Sequence, residues 1–284
     1  NGFFEKNRFN TLSYLIDQDS LRNKKLIKPF YQKTNFSLIR ISSFAKIYKS
    51  IPDLRGNIIF YGKSNNFHYF IESTIVNEFY DQFILGSNYA RSNISGRINN
   101  AFLKLYNSQI SFQIGRAPIF WGLSSSSSII TSSYSITYDH IILQINLANF
   151  SFELLTGQLG SEKTVDGLHI NRYIAGHRLC WNVSNGLSIG IGEQIIYTGL
   201  NRGIDLTYIN PFVPYFFTAL EGDDDRYEPY DNDNSILFAF SEYKLKSNTS
   251  IYTEMIIDDY QVDQTNIENS LGYKIGFKTK IKKL

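Results

Sequence analysis

The sequence predicts an all-β protein, an antiparallel transmembrane β-barrel in meander order with a short N-terminal helical segment. Three observations predict it. Aromatic residues make up 15 % of the chain, with 22 Phe and 20 Tyr against 2 Trp, and flat or branched side chains pack well on a pleated surface. From Asp53 onward apolar residues recur at every second position, the period of a half-buried strand. The alternating segments number about eleven to thirteen, many of them ~10 residues long, joined by Asn-, Ser-, Gly- and Asp-rich connections. Globular strands average about 5–6 residues, whereas an outer-membrane strand needs ~9–11. Long strands, Tyr and Phe near strand ends, and short turns alternating with long polar loops favour the barrel over a soluble sandwich.

Taken in order, residues 1–52 form an N-terminal segment and residues 53–284 the barrel. Phe44, Ile47, Tyr48 and Ile51 recur at helical spacing, Ser37 can act as an N-cap and Pro52 stops the pattern. This spacing predicts an amphipathic helix over 37–51, packed against the core, a membrane surface or a partner. Beyond it, Phe67, Tyr69, Ile71, Ser73 and Ile75 share one face, with His68, Glu72 and Thr74 on the other. Ile110, Phe112 and Ile114 alternate with Ser111 and Gln113, and Ile141, Leu143, Ile145 and Leu147 with His140, Gln144 and Asn146. A tight turn at Ala148-Asn149 leads to Phe150, Phe152 and Leu154, and a second hairpin turns near Ser184-Asn185-Gly186. The last strand sets Leu271, Tyr273, Ile275, Phe277, Thr279 and Ile281 against Gly272, Lys274, Gly276, Lys278, Lys280 and Lys282. A one-residue slip there would move every lysine to the apolar side.

Composition excludes several classes. A net charge of +2 without a basic stripe argues against nucleic acid. The single cysteine, Cys180, cannot form an intrachain disulfide and reads as a small packed side chain. No apolar run reaches the ~18–20 residues of a membrane helix, and the slightly negative mean hydropathy says nothing about a barrel. The chain opens on Asn1 and its only methionine is Met255, as expected where a targeting peptide has been removed or the N-terminus is not included.

The polar residues set inside strands are the candidate functional groups. Gly115-Arg116 and Trp121-Gly122 border a loop, Leu123–Ser135, with eight serines. Arg116 and Trp121 can bind a sugar by pairing and stacking, or serve as a salt-bridge partner and an interfacial anchor. Arg178 lies mid-strand on a face with Gly176 and Ile174 and needs a carboxylate, for which Glu193 on the following strand is the candidate. Strict alternation puts Glu193 with Ile191 and Ile195, where lipid would make an ionised carboxylate costly. Either a bulge near Gly192 shifts the register or other protein covers that face. With Glu254 and Asp258, Arg178 and Glu193 make a lumen polar cluster. The connection Leu220–Asn234 holds seven carboxylates between Glu221 and Asp233, and Tyr227 and Tyr230 within it can stack on sugar rings. Asp231-Asn-Asp233-Asn lacks the glycine and distal glutamate of an EF-hand, so no metal site is assigned. A looser Ca²⁺ site in this acidic loop is the one cofactor left open. No Gly-x-Ser-x-Gly elbow, P-loop, zinc spacing or dinucleotide fingerprint is present, and no catalytic residue is assigned.

In order, Gly115-Arg116 … Trp121-Gly122, His177-Arg178-Leu179, Gly190-Ile-Gly192-Glu193 … Tyr197, Asn210-Pro211-Phe212, Asp231-Asn-Asp-Asn234, and Tyr252-x-Glu254 … Asp258-Asp259-x-Gln261 resemble the Wzi-type capsule-assembly outer-membrane proteins over about residues 100–280. The resemblance implies a large antiparallel barrel in the bacterial outer membrane, helical elements near its N-terminus, and a lectin-like role in holding capsular polysaccharide at the cell surface. The chain is short for a complete barrel of that family. The expected function is therefore polysaccharide binding without catalysis, with membrane lipids, surface polysaccharide and envelope subunits as partners. A porin-like or structural barrel, and after it a barrel hydrolase, are the alternatives.

Overall fold

Alternation becomes backbone pairing in the structure, a computed structural model that describes residues 36–48, 51–77, 89–91, 94–122, 128–131, 136–221, 232–246, 249–258 and 270–279. The strands are β1 (Phe36–Tyr48), β2 (Ile51–Ser64), β3 (Phe67–Asn77), β4 (Tyr89–Arg91), β5 (Ile94–Tyr106), β6 (Ile110–Ala117), β7 (Tyr138–Leu147), β8 (Phe150–Lys163), β9 (His169–Asn182), β10 (Leu187–Leu200), β11 (Asn232–Lys246), β12 (Thr249–Asp258) and β13 (Ser270–Thr279). They form one 13-stranded sheet in which each strand pairs with the next, except that β3 pairs with β5 and β4 adds to β5. The described pairs are antiparallel, so the meander expected from the sequence is the observed architecture. The turns at 148–149 and 183–186 fall where expected.

The helix expected over 37–51 is not formed. Those residues build β1, which pairs with β2 from Phe36↔Lys63 to Tyr48↔Ile51. Long-range pairing overrides the helical spacing of Phe44, Ile47 and Tyr48, because Ile39 and Ile41 already alternate and β-branched residues favour the pleated surface. The division at 52/53 accordingly falls inside β2, while residues 1–35 lie outside the described residues. The α-helix among the described residues is α1 (Tyr215–Glu221), preceded by a short 3-10 turn, Thr207–Ile209. No described helix is long and apolar enough to cross a membrane.

The sheet is inside-out. One face presents Ile71, Ile75, Ile98, Ile114, Ile141, Ile191, Met255, Tyr273 and Ile275 to the surroundings. The opposite face buries Glu72, Arg97, Asn99, Asn100, His140, Glu153, Gln194 and Glu254. A water-soluble sheet buries its apolar face, and the reverse is the polarity of a membrane barrel. We call the two faces outer and inner. On the outer face Phe150 and Trp181 stack at 5.6 Å near the short-turn end, and Tyr173 and Tyr197 stack at 5.3 Å further up. From Trp181 to Tyr173 is about 26 Å along β9 at ~3.3 Å per residue, or about 20 Å of height at the ~40° tilt of a barrel strand.

Connection length sorts the two ends. Residues 65–66, 107–109, 148–149, 183–186 and 247–248 link strands at one end, whereas the long connections 118–137, 201–231 and 259–269 leave the other, together with the shorter 49–50 and 164–168. Short turns mark the periplasmic end of a bacterial outer-membrane barrel and long loops the outer end.

Candidate functional site

The inner face acquires its site because the β6–β7 connection folds back onto it. Trp121 bridges to Thr131 and is 1 % exposed, in a cluster with Ile119, Ile130, Tyr138, Leu155, Ile174, Phe238 and Phe240. Its indole N–H donates to Glu153 on β8, and the Arg178 guanidinium lies over its ring at 5.1 Å. Arg178 Nη2 donates to the same Glu153 carboxylate at 3.1 Å. The cradle requires Gly176, since a Cβ there would stand 2.7 Å from the indole. Further along the loop, Glu254 on β12 accepts the Ile129 amide at 3.0 Å and the Ser128 hydroxyl at 3.2 Å, and Gln194 Nε2 donates to Thr131 Oγ1 at 2.5 Å. Strand carboxylates and an amide thus hold the loop by its indole, backbone and hydroxyls, and each carboxylate buries its charge against donors.

Glu193 stands on the other side of the wall. The registers of β9, β10 and β11 run unbroken through Gly192 and Glu193, so no bulge turns this carboxylate inward. The β10–β11 connection covers it instead. Glu193 Oε2 accepts the amides of Tyr215 and Phe216, the first residues of α1, at 2.7 and 3.3 Å, and His177 Nε2 lies 3.8 Å from its other oxygen. Tyr208 and Tyr215 close over Tyr173, Ala175, Ile195 and Tyr197 to make a second core on the outer face. Arg202 and Asp233 pin the connection to β11, with Nη2–Oδ2 at 2.9 Å, while the Tyr208 hydroxyl donates to Asp233 at 2.5 Å and Arg202 lies 4.9 Å over the Tyr197 ring.

The expected lumen cluster is therefore divided. Arg178, Glu254 and Asp258 share the inner face; Glu193 does not, and the expected Arg178–Glu193 pair is replaced by Arg178–Glu153. Parity is the reason, because Arg178 lies directly opposite Glu153 on β8 and Gly192 on β10. Asp258 has a buried Oδ1 with no hydrogen-bond partner among the described residues. Trp121 is enclosed, so neither ring face is open to a sugar in this arrangement. Arg116, at the loop end of β6, pairs with Asp139 across β7. Tyr227, Tyr230 and most of the acidic run lie outside the described residues, as does the Ca²⁺ expectation; Asp233, at the end of that run, is engaged by Arg202 and Tyr208. Among the described residues no group of three or more His, Cys, Asp or Glu is placed to hold a metal ion.

Sequence reasoning missed Glu153 and the Arg202–Asp233–Tyr208 network. Alternation could have found the first, since Phe152 and Leu154 set Glu153 on the opposite, inner side. The second depends on a fold-back of the 201–231 connection that no period encodes.

No family model matches the chain, and no curated protein matches it. Among solved structures it is similar to OmpT, an outer membrane protein of Vibrio cholerae folded in vitro, at 11 % identity over 86 % of this chain and 95 % of that one, with a TM-score of 0.38. The trimer form of the same protein matches at 8 % identity over 87 % and 82 % of the two chains, with a TM-score of 0.37. Both scores lie below 0.5, and the assignment rests on the chain's own sheet, whose meander order, strand length and inside-out polarity are those of an outer-membrane β-barrel.

Proposed function

We propose that this chain, in the bacterial outer membrane, holds a surface or capsular polysaccharide at its long-loop end and catalyses no reaction. The observation that carries this reading is the inward-folded β6–β7 loop. Trp121, Ile119 and Ile130 fill the inner face of β7–β11, where a wide pore would need water. The residues that carry the Wzi-type resemblance support it further, since they fasten the long connections to the wall. Trp121, Arg178 and Glu254 fix the inner loop, while Glu193 and Asp233 fix the outer connection and Asn210 closes a turn within it. Connections fastened to the wall lower the ordering cost of binding a flexible chain. Tyr227, Tyr230 and Arg116 are the proposed sugar contacts, with Trp121 fixing the β6–β7 loop. Among the histidines, His140 is engaged by the Tyr138 carbonyl and Gln113, both at 2.9 Å, and His177 stands on the outer wall; neither is offered to a nucleophile.

A passive pore is the second reading, favoured by the polar inner wall of β3 and β5, where Asn100 donates to Glu72 and Asn99 to Thr74, each at 2.5 Å. Detergent-solubilised protein applied to an array of capsular polysaccharides separates the two. The lectin reading expects binding that falls at least tenfold in a Tyr227→Ala/Tyr230→Ala variant, about 1.4 kcal/mol. No binding to any polysaccharide, with steady conductance in a planar bilayer, would overturn it.

A further inference from the structure

The β10–β11 connection covers the outer wall, the side that faces lipid, and this inference rests on the reading that the sheet spans a membrane. Its depth can be read from the register. Across the sheet, Leu143, Leu154, His177, Glu193, Leu237, Ile257 and Leu271 form one row of opposed residues on the outer face. Apart from the His177–Glu193 pair the row is apolar, and Glu193 stands mid-strand in β10, so the N-terminus of α1 is seated among apolar residues of the wall. The helix is about 10 Å long, seven residues at ~1.5 Å each.

Irregular backbone survives against hydrocarbon only where its polar groups are satisfied internally, and nine of the thirteen amide donors between Ile204 and Thr218 have an acceptor within the protein. The amides of Asp205, Thr207, Ile209, Phe212, Tyr215 and Phe216 donate respectively to Tyr197 Oη, Asp205 Oδ1, the Leu206 carbonyl, Asn210 Oδ1 and, for the last two, Glu193 Oε2. Pro211 and Pro214 carry no amide N–H at all. Away from the wall the same segment presents Leu206, Phe212 and Phe217, exposed by 78, 91 and 62 %. On the wall itself Leu179, Ile189 and Ile191 are exposed as well. A loop built for water would turn such residues inward and leave its amides to solvent.

We propose that the segment from Ile204 to Thr218 is inserted among the acyl chains of the outer leaflet, a lipid-embedded cover rather than a loop in water. The cover also explains how Glu193 is tolerated on the outer wall. Its carboxylate is screened from lipid by the backbone donors that α1 brings to it.

Site-directed spin labelling in proteoliposomes tests this. Single cysteines replace Phe212 or Phe217 in a Cys180→Ser chain, with Ile191→Cys as the wall reference and Val165→Cys, in the β8–β9 turn, as the water reference. Labels at 212 and 217 are expected to collide more with oxygen than with a polar nickel chelate, as at 191, with the reverse at 165. Collision behaviour at 212 and 217 like that at 165 overturns the proposal while the barrel stands. An immobile label reached by neither reagent means that another chain covers the segment, which overturns it equally. If position 191 itself behaves like 165, the membrane reading fails and this proposal with it. A Trp181→Phe/Phe217→Trp chain that keeps Cys180, read by quenching from brominated lipid against the Trp181→Phe chain, answers the same question independently. Added quenching from position 217 is expected, and its absence contradicts the proposal.

Discussion

The inner and outer covers use one device in two media. On the inner face Glu254 accepts the Ile129 amide; on the outer face Glu193 accepts those of Tyr215 and Phe216. Each is a strand carboxylate that fastens a long connection by its backbone. Their surroundings differ. Glu254 is 1 % exposed, lies opposite Lys274 on β13, and belongs to a face that also holds the Arg178–Glu153 pair. Glu193 has His177 beside it and an apolar row on both sides. A carboxylate among other charges can exchange partners when its loop leaves, whereas one on the lipid side cannot. The inner cover therefore closes a polar space, and the outer one shields a charge that the bilayer would otherwise meet.

Trp121→Ala should break this comparison most strongly. It empties the centre of the inner core and leaves Glu153 without its indole donor, for a loss of about 3–5 kcal/mol. Urea unfolding in lipid vesicles followed by tyrosine fluorescence measures it, and a loss below 1 kcal/mol would mean that the loop is not packed as described. Arg178→Ala should follow, at about 3 kcal/mol, because it strands Glu153 as a buried charge without its cationic partner. Arg178→Met/Glu153→Leu should recover most of that loss; if it does not, the pair does more than neutralise itself.

Glu193→Ala and Glu254→Ala form the sharpest contrast. Each orphans backbone donors at about 1–3 kcal/mol, but limited proteolysis should cut a different connection in each, 201–221 in the first and 118–131 in the second. Cleavage at the same place in both would erase the distinction between covers. Glu193→Gln, which keeps an acceptor, should protect the connection better than Glu193→Ala. Tyr208→Phe has the smallest expected effect, about 1–2 kcal/mol from one bond to a charged acceptor, and it should leave the inner loop's protection unchanged.

Much of the wall was legible in the sequence and little of the covers was. In β13 each lysine alternates with an aromatic or aliphatic residue, so only one register fits, and that register forms. In β1 the residues Phe44, Ile47 and Tyr48 satisfy helical spacing as well as a strand, and only pairing with β2, remote information, decides. For Glu193 alternation posed the right question, bulge or cover. The answer lay in a connection whose fold depends on Arg202 and Tyr208 meeting Asp233 across long separations. Arg178 was matched to the wrong carboxylate because a hairpin neighbour was weighed without parity, although Phe152-Glu153-Leu154 carries the parity signal.

Planar-bilayer conductance tests the central claim most directly, that the inner cover closes and the outer cover shields. Wild-type protein should show no steady ohmic current, Glu254→Ala should show openings as the 118–131 loop leaves the inner face, and Glu193→Ala should remain silent. Steady channels from the wild type, or openings from Glu193→Ala but not from Glu254→Ala, would contradict it.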